Sequence, residues 1–445
     1  MVPQLRGLER RFPNELVVVG VHSPKFPQEK ETSNLRKAVM RMGIQHPVIN
    51  DRDFNVWRQY GLRAWPTLLF LDPQGKVFGI HEGEATTEML ADVIQEAVDE
   101  FTQKGWLKRT PLPFQLDRED PGPLSFPGKV LADEVSGRLF IADSNNNRII
   151  VARLDGEVTE VIGGGSIGFE DGAFDKASFN VPQGMSLNGE TLYIADLESH
   201  AIRAADLKAR TVKTVAGIGS QALQHGSGGH ALDVPLSSPW DVAYDKGRVY
   251  IAMAGTHQVW VLDLARQTVR PFAGSGAEGI RDGPLNRAEM AQTSGLALAG
   301  DVMYVADSET SSVRSVGLDP QDGLVRTIVG QDLFYFGDMD GMGSVVKLQH
   351  PLGICFHQEI LYVADTYNNK IKRVFPRTQS ATTYLGTGKP GKQDGPGATA
   401  TFHEPGGLSV AGGKLYVADT NNHAIRVADL RTGEVSTLVL KGLRE

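Results

Sequence analysis

Three columns of side chains recur through the last two-thirds of this 445-residue chain, and each could do chemistry. The first is a carboxylate: Asp143, Asp196, Asp307, Asp365 and Asp419 each close an apolar run, in FIAD, YIAD, YVAD, YVAD and YVAD. Four positions on stand Asn147, His200, His257, Ser311, Asn369 and His423. Three further on stand Ile150, Arg203, Trp260, Arg314, Lys372 and Arg426. A ring of carboxylates would suit acid–base work, and three convergent histidines would suit a metal. The surroundings favour a structural role instead. Asp ahead of turns such as SNNN (144–147), TYNN (366–369) and TNNH (420–423) bonds backbone N–H groups two or three residues on, and Asn accepts the left-handed conformation. The Asp column is therefore expected to fix turns, and Met253 can stand in its place in YIAM (250–253). Histidines in the second, third and sixth copies are held apart on outlying turns, so neither a metal nor another cofactor is expected. The Arg/Lys column is expected to bond turn carbonyls or the neighbouring copy. The single cysteine, Cys355, cannot pair within the chain; it lies in the apolar pattern GICF (353–356) and is expected to be a quiet core thiol. No catalytic residue is assigned.

What positions these columns is a repeat. The tetrads at 140–143, 193–196, 250–253, 304–307, 362–365 and 416–419 are offset by 53, 57, 54, 58 and 54 residues. Each copy reads as four short strands; in the second these are 183–188, 191–196, 201–207 and 211–216. A period of this length with four strands per copy describes a β-propeller, one blade per repeat. Six copies predict six blades, the first from 127–162 and the last from 405–440. The loops leading into each inner strand are long, and four carry Asp-Gly, at 171–172, 282–283, 340–341 and 394–395. They share a face with the turns between second and third strands, and binding residues concentrate on such loops. His200, His257, His423, Arg281 and Tyr335 are candidates for a partner-binding face, with His225, His230, Phe334, Phe336, Lys389 and Lys392 also within reach of it. The partner expected there is a protein or peptide.

The spelling VAD-x-x-N-N/H-x-I-R with a preceding P-x-G resembles the NHL repeat family over Phe126 to Leu440. That resemblance implies the propeller. NHL propellers include protein-binding and RNA-binding modules and a group of metal-dependent lyases.

The first third reads differently. LVVVGV (16–21) is a continuous apolar strand of the kind buried in a parallel sheet, 32–42 and 54–60 read as amphipathic helices, and a strand pair (64–83) precedes a helix near 86–104. This order resembles the second part of a thioredoxin-like domain. In that family Trp65-Pro66-Thr67 matches the segment whose proline peptide is cis and faces the reactive cysteines. The family's central strand and Cys-x-x-Cys have no counterpart in these residues, which would leave backbone groups unpaired between 16–21 and 67–71. The expectation is a translation start assigned too late, with a truncated domain, or one completed by another chain, as the second reading. Together, VVGVHSPKFPQEKE (18–31), HPVINDRD (46–53), WPTLLFLDPQG (65–75), LSFPGKV (124–130) and SSPWDV (237–242) look like the NHL repeat-containing protein 2 family, whose members fuse a thioredoxin-like domain to a six-bladed NHL propeller. The fold expected is mainly β: an incomplete α/β thioredoxin-like domain at 1–104, a linker at 105–125 and the propeller at 126–440.

Bulk properties narrow the functions. A net charge of −8 argues against a general phosphate-backbone binder, so nucleic acid is disfavoured. MVPQLRGLERRF lacks the apolar stretch of a signal peptide, and no run reaches the roughly 20 apolar residues that cross a bilayer, so a cytoplasmic protein without membrane contact is expected. The leading function is an interaction protein, redox-linked if a cysteine motif lies upstream. A lyase or lactonase with a metal in the central channel is the alternative. It needs about three inward His, Asp or Glu. The inner strands offer only Asp241 and the strand-end Asp133, Asp245 and His357. RNA binding is the third class.

Overall fold

The computed structural model describes all residues except 111, 113, 118, 120, 121, 223–225, 444 and 445, so His225 lies outside the described residues. The chain forms two compact units, Met1–Asp120 and Pro121–Glu445.

In the first unit, α1 (Val2–Arg11), β1 (Gly20–His22), α2 (Thr32–Arg41), β2 (Val48–Asn50), α3 (Asn55–Tyr60), β3 (Thr67–Leu71), β4 (Val77–Glu82) and α4 (Thr87–Gln103) follow in order. Helix α4 starts where the Thr86 hydroxyl accepts the Met89 N–H, and it buries Leu90, Ala91, Ile94 and Phe101 along one stripe. That stripe meets Leu8 of α1 and Phe12 just after it, with Leu68 and Phe70 of β3 packed against the cluster. Strand β1 pairs in parallel with β2, and β3 pairs antiparallel with β4, as two separate two-stranded sheets. The strand expected over 16–21 is therefore short: it begins only at Gly20. An extended run without a ladder on either side has nowhere to place its N–H and C=O groups except in solvent. Val17, Val19, Val21, Ile49, Leu71 and Ile80 are exposed. The stretch expected as a linker is tied to this unit as far as Glu119, through Arg109–Glu15 and Arg36–Asp117, both at 3.0 Å, and Lys37–Glu119.

The second unit is a six-bladed propeller of six antiparallel sheets. Blade one is β5 (Val130–Asp133), β6 (Arg138–Asp143), β7 (Arg148–Arg153) and β8 (Val158–Ile162), running outward from the axis. Blades two to six repeat this order over 182–216, 239–273, 293–329, 353–385 and 405–437. Residues alternate between the two seams each blade shares with its neighbours. Phe140 and Ala142 pack against Leu192 and Ile194 in one seam, while Leu139 and Ile141 pack against Tyr416 and Ala418 in the other. The Asp-Gly loops do more than turn. Gly172, Gly283, Gly341 and Gly395 each open a two-residue fifth strand on the outer edge of their own blade, with φ between 127° and 155°. Blade one receives its outer pairing from the far end of the chain: Val158 N donates to Lys441 O and Lys441 N to Gly156 O, at 2.9 Å each.

Candidate functional site

Each of the three columns has one mechanical task. The Asp oxygens reach backward rather than into the following turn. Asp196, Asp307, Asp365 and Asp419 accept the N–H of Asn180, Ala291, Gln349 and His403 at 2.7–2.8 Å, and Asp143 accepts that of Ser125 at 2.7 Å. In place of the backbone N–H groups expected from the turn, the side-chain amides of Asn146, Asn368 and Asn422, three residues on, donate to Asp143, Asp365 and Asp419. Arg203, Arg314 and Arg426, all fully buried, lie between this Asp and the loop Asp: Arg203 bonds Asp196 at 3.0 Å and Asp171 at 2.8 Å, and also takes the carbonyls of Ser178 and Glu170. Arg314 repeats this with Asp307 and Asp282, and Arg426 with Asp419 and Asp394. Lys372 bonds Asp338 and Asp340. Burial raises Asp196, Asp307 and Asp419 to about 6 and Asp365 to about 7, against the pull of their cations and N–H donors. These carboxylates hold loops to blades.

The middle column joins neighbouring blades. Asn147, His200, His257, Ser311, Asn369 and His423 all adopt φ of 49–54°. The acceptor atom of each takes an N–H at the entry to the next blade: Val181, Ser238, Gln292, His350, Glu404 and Phe126 respectively, at 2.9–3.2 Å. The three histidines accept through Nδ1, so each ring is neutral, and burial lowers His200 to about 4. Among the described residues no group of three or more His, Cys, Asp or Glu is placed to hold a metal. Arg281 bonds the Arg287 carbonyl and pairs with Glu289 at 2.8 Å, and Lys347 Nζ sits 4.2 Å above the Tyr335 ring. Phe334 on the same loop is 70% exposed.

The axis is filled. At one level of the six inner strands stand Lys129, Gly184, Asp241, Gly295, Gly353 and Gly407. A Cβ on Gly184 would lie 2.0 Å from Asp241 Oδ1, and one on Gly407 would lie 2.6 Å from the Lys129 backbone Cα and 3.1 Å from its side-chain Cδ, so the glycines make room for the two charged residues. Lys129 Nζ crosses to donate to Ser294 O at 2.9 Å and Leu352 O at 2.5 Å, with Asp241 Oδ2 at 3.6 Å. Asp241 also accepts from the Leu296 and Val242 N–H groups. Burial lowers Lys129 and raises Asp241, each opposed by the other's charge. Cys355 is partly rather than fully buried, yet desolvation raises the thiol to about 12, which favours its protonated form.

In the first unit the Trp65–Pro66 peptide is cis. Trp65 Nε1 donates to Ser23 O at 3.1 Å, and Thr67 Oγ1 to Ala64 O at 2.7 Å. The Ser23 hydroxyl donates to Asp51, which also accepts the Val56 and Trp57 N–H groups of α3. Burial alone would raise Asp51, but those donors outweigh it and hold the carboxyl below the usual range. The Trp57 and Trp65 rings lie 4.4 Å apart.

The NHL repeat family matches 236–262 and 402–428, within blades three and six. NHL repeat-containing protein 2 of Bos taurus is 42% identical over 98% of this chain. The chloroplastic SUPPRESSOR OF QUENCHING 1 of Arabidopsis thaliana is 43% identical over 100% of it. The chain belongs to the NHL repeat-containing protein 2 family. It spans 65% of the length of the bovine family member and 44% of the plant relative. The thiol-disulfide oxidoreductase ResA of Halalkalibacterium halodurans is 25% identical over 18% of this chain and 42% of its own length. No helix among the described residues is long and apolar enough to cross a membrane.

Two sets of residues escaped the sequence reading. Asp171, Asp282, Asp340 and Asp394 were legible only as turn formers, although each precedes its cation by a constant 32 residues. Lys129 was passed over in GKVLAD; its signal is a lone Lys at a position where four other copies carry Gly.

Proposed function

We propose that this chain is a propeller-based interaction protein that presents a protein or peptide partner to its loop-rich face, with a first unit that is thioredoxin-like and redox-linked when a cysteine pair accompanies it. The observation that carries the binding reading is the filled axis. With Lys129 and Asp241 bonded across the neck, recognition falls to the outer faces. The loops there rest on scaffolding whose buried cations and inter-blade bonds hold them in place, and rigid loops lower the ordering cost of binding. The partial likeness to ResA and the order of helices and strands support the thioredoxin-like reading. Thiol exchange needs a nucleophilic sulfur, and Cys355 with its raised thiol cannot supply one. A cytoplasmic location is part of the proposal, to be weighed against the plant relative's chloroplastic name. The metal-dependent lyase reading has less support, because its cation would have to displace Lys129.

The test is site-specific photo-crosslinking in extract of the source cells. A crosslinker replacing Phe334 on the loop-rich face should give discrete polypeptide adducts. One replacing Val135, which is 97% exposed on the turn between β5 and β6, should not. Equal adducts from both sites would overturn the assignment of the face.

A further inference from the structure

The other end of the blades, away from the loop-rich face, carries a cavity of about 850 Å³ between blades three and four. Its origin is local. In five blades the third and outer strands are joined by four residues: 154–157, 207–210, 264–267, 376–379 and 430–433. In blade four the join is six residues, Leu318–Gly323. That longer turn is fixed: the Asp319 carboxylate accepts the Gln321 and Asp322 N–H groups, and the Asp319 carbonyl accepts that of Gly323.

One phenol beside this turn lacks the partner that a counterpart has. Between blades six and one, the second-strand Tyr416 donates its hydroxyl to Leu154 O at 2.9 Å. Tyr250 and Leu318 are the corresponding residues of blades three and four. Here the Tyr250 side chain is 1% exposed, lines the cavity, and makes no hydroxyl hydrogen bond among the described residues. Around it the exposed Arg248 and Arg326 offer guanidinium donors and the exposed Asp301 and Asp322 offer carboxylates, while Asp319, engaged in its own turn, and the Asp245–Lys246 pair complete the charged lining. A buried phenol beside exposed charges of both signs gives the opening hydrogen-bonding and ionic character, and its volume falls within the range of ligand sites.

We propose that this cavity is a binding site for a short zwitterionic peptide segment, its carboxylate met by Arg248 and Arg326, its ammonium by Asp301 and Asp322, and a backbone amide by the Tyr250 hydroxyl. Guanidinium–carboxylate pairing supplies orientation, and the phenol supplies a hydrogen bond that an uncharged surface groove lacks. This site is separate from the loop-rich face and stands whether or not that face binds a partner.

The test is calorimetric titration of the full chain with the synthetic tetrapeptide Lys-Gly-Gly-Glu, and with its N-acetylated, C-amidated Ser-Gly-Gly-Ser counterpart. The zwitterion should bind with a Kd of about 1 mM or tighter and the neutral peptide should not. Tyr250→Phe should weaken binding about five- to tenfold while leaving the unfolding midpoint in place. Deleting Gln321 and Asp322 restores the four-residue join and should abolish binding. No heat of binding at about 10 mM peptide, or equal affinity in wild type and Tyr250→Phe, would overturn the proposal.

Discussion

Blade three is an experiment the chain has run on itself. Where blades two, four and six place two aspartates on a buried arginine, blade three has Met253, Gly228 and Trp260. The outer-strand threonine that bonds the loop Asp, as Thr214, Thr327 and Thr437 do, becomes Pro271, which has no N–H to offer. All four partners change together, as expected if a buried ion network is neutral against apolar packing only when wholly replaced. Arg314→Ala should thus destabilise the propeller by about 3–5 kcal/mol, since it strands Asp307. The full blade-three set, Asp282→Gly, Asp307→Met, Arg314→Trp and Thr327→Pro, should cost less than that single change in urea unfolding. The same carboxylates set a pH dependence. Folding raises Asp365 from 3.8 to about 7 and Asp196, Asp307 and Asp419 to about 6, so between pH 4 and 7 the folded chain holds protons the unfolded chain has lost. Their contribution is full below pH 3.8 and is lost as pH rises through 6 to 7. Unfolding free energies taken across pH 5 to 8 should fall with a shallower slope in Asp365→Asn than in wild type.

At the scale of elements, the six inter-blade bonds explain why Asn, His and Ser alternate in one column. The position demands both a left-handed backbone and an acceptor atom one or two bonds beyond Cβ, which these residues supply. His423 makes the bond that joins blade six to blade one. His423→Asn should keep the unfolding midpoint near wild type, and His423→Leu should lower stability by about 1–2 kcal/mol by leaving the Phe126 N–H unpaired. The second element of closure is the pairing of Lys441 with blade one. Lys441→Pro removes the N–H donated to Gly156, and faster hydrogen exchange confined to β8 is the expected result. If exchange rises equally in all six outer strands, the pairing does not act locally.

For the whole molecule, the six blades were legible because period, strand alternation and turn residues agree at every copy. The boundaries of β3 were legible for the same reason, with strong turns on both sides. The start of β1 was not: LVVVGV is apolar throughout, and only a neighbouring strand would make Leu16–Val19 a ladder. The role of the histidines was missed because pattern alone gives their column, not the atom they face. The filled axis was missed because a single Lys among apolar residues looks like a solvated end until the ring is closed. That ring fills the centre of the propeller, and the proposed recognition falls to its faces. The measurement that tests it most directly is a double-mutant cycle on Lys129 and Asp241, read by urea unfolding of wild type, Lys129→Met, Asp241→Asn and the double variant. Lys129→Met should cost about 3–5 kcal/mol by leaving Asp241 unpaired, and the double variant should recover about 1–3 kcal/mol of the summed loss. Losses that add to within about 0.5 kcal/mol would mean the two charges do not meet across the axis, and the account of a closed centre would be wrong.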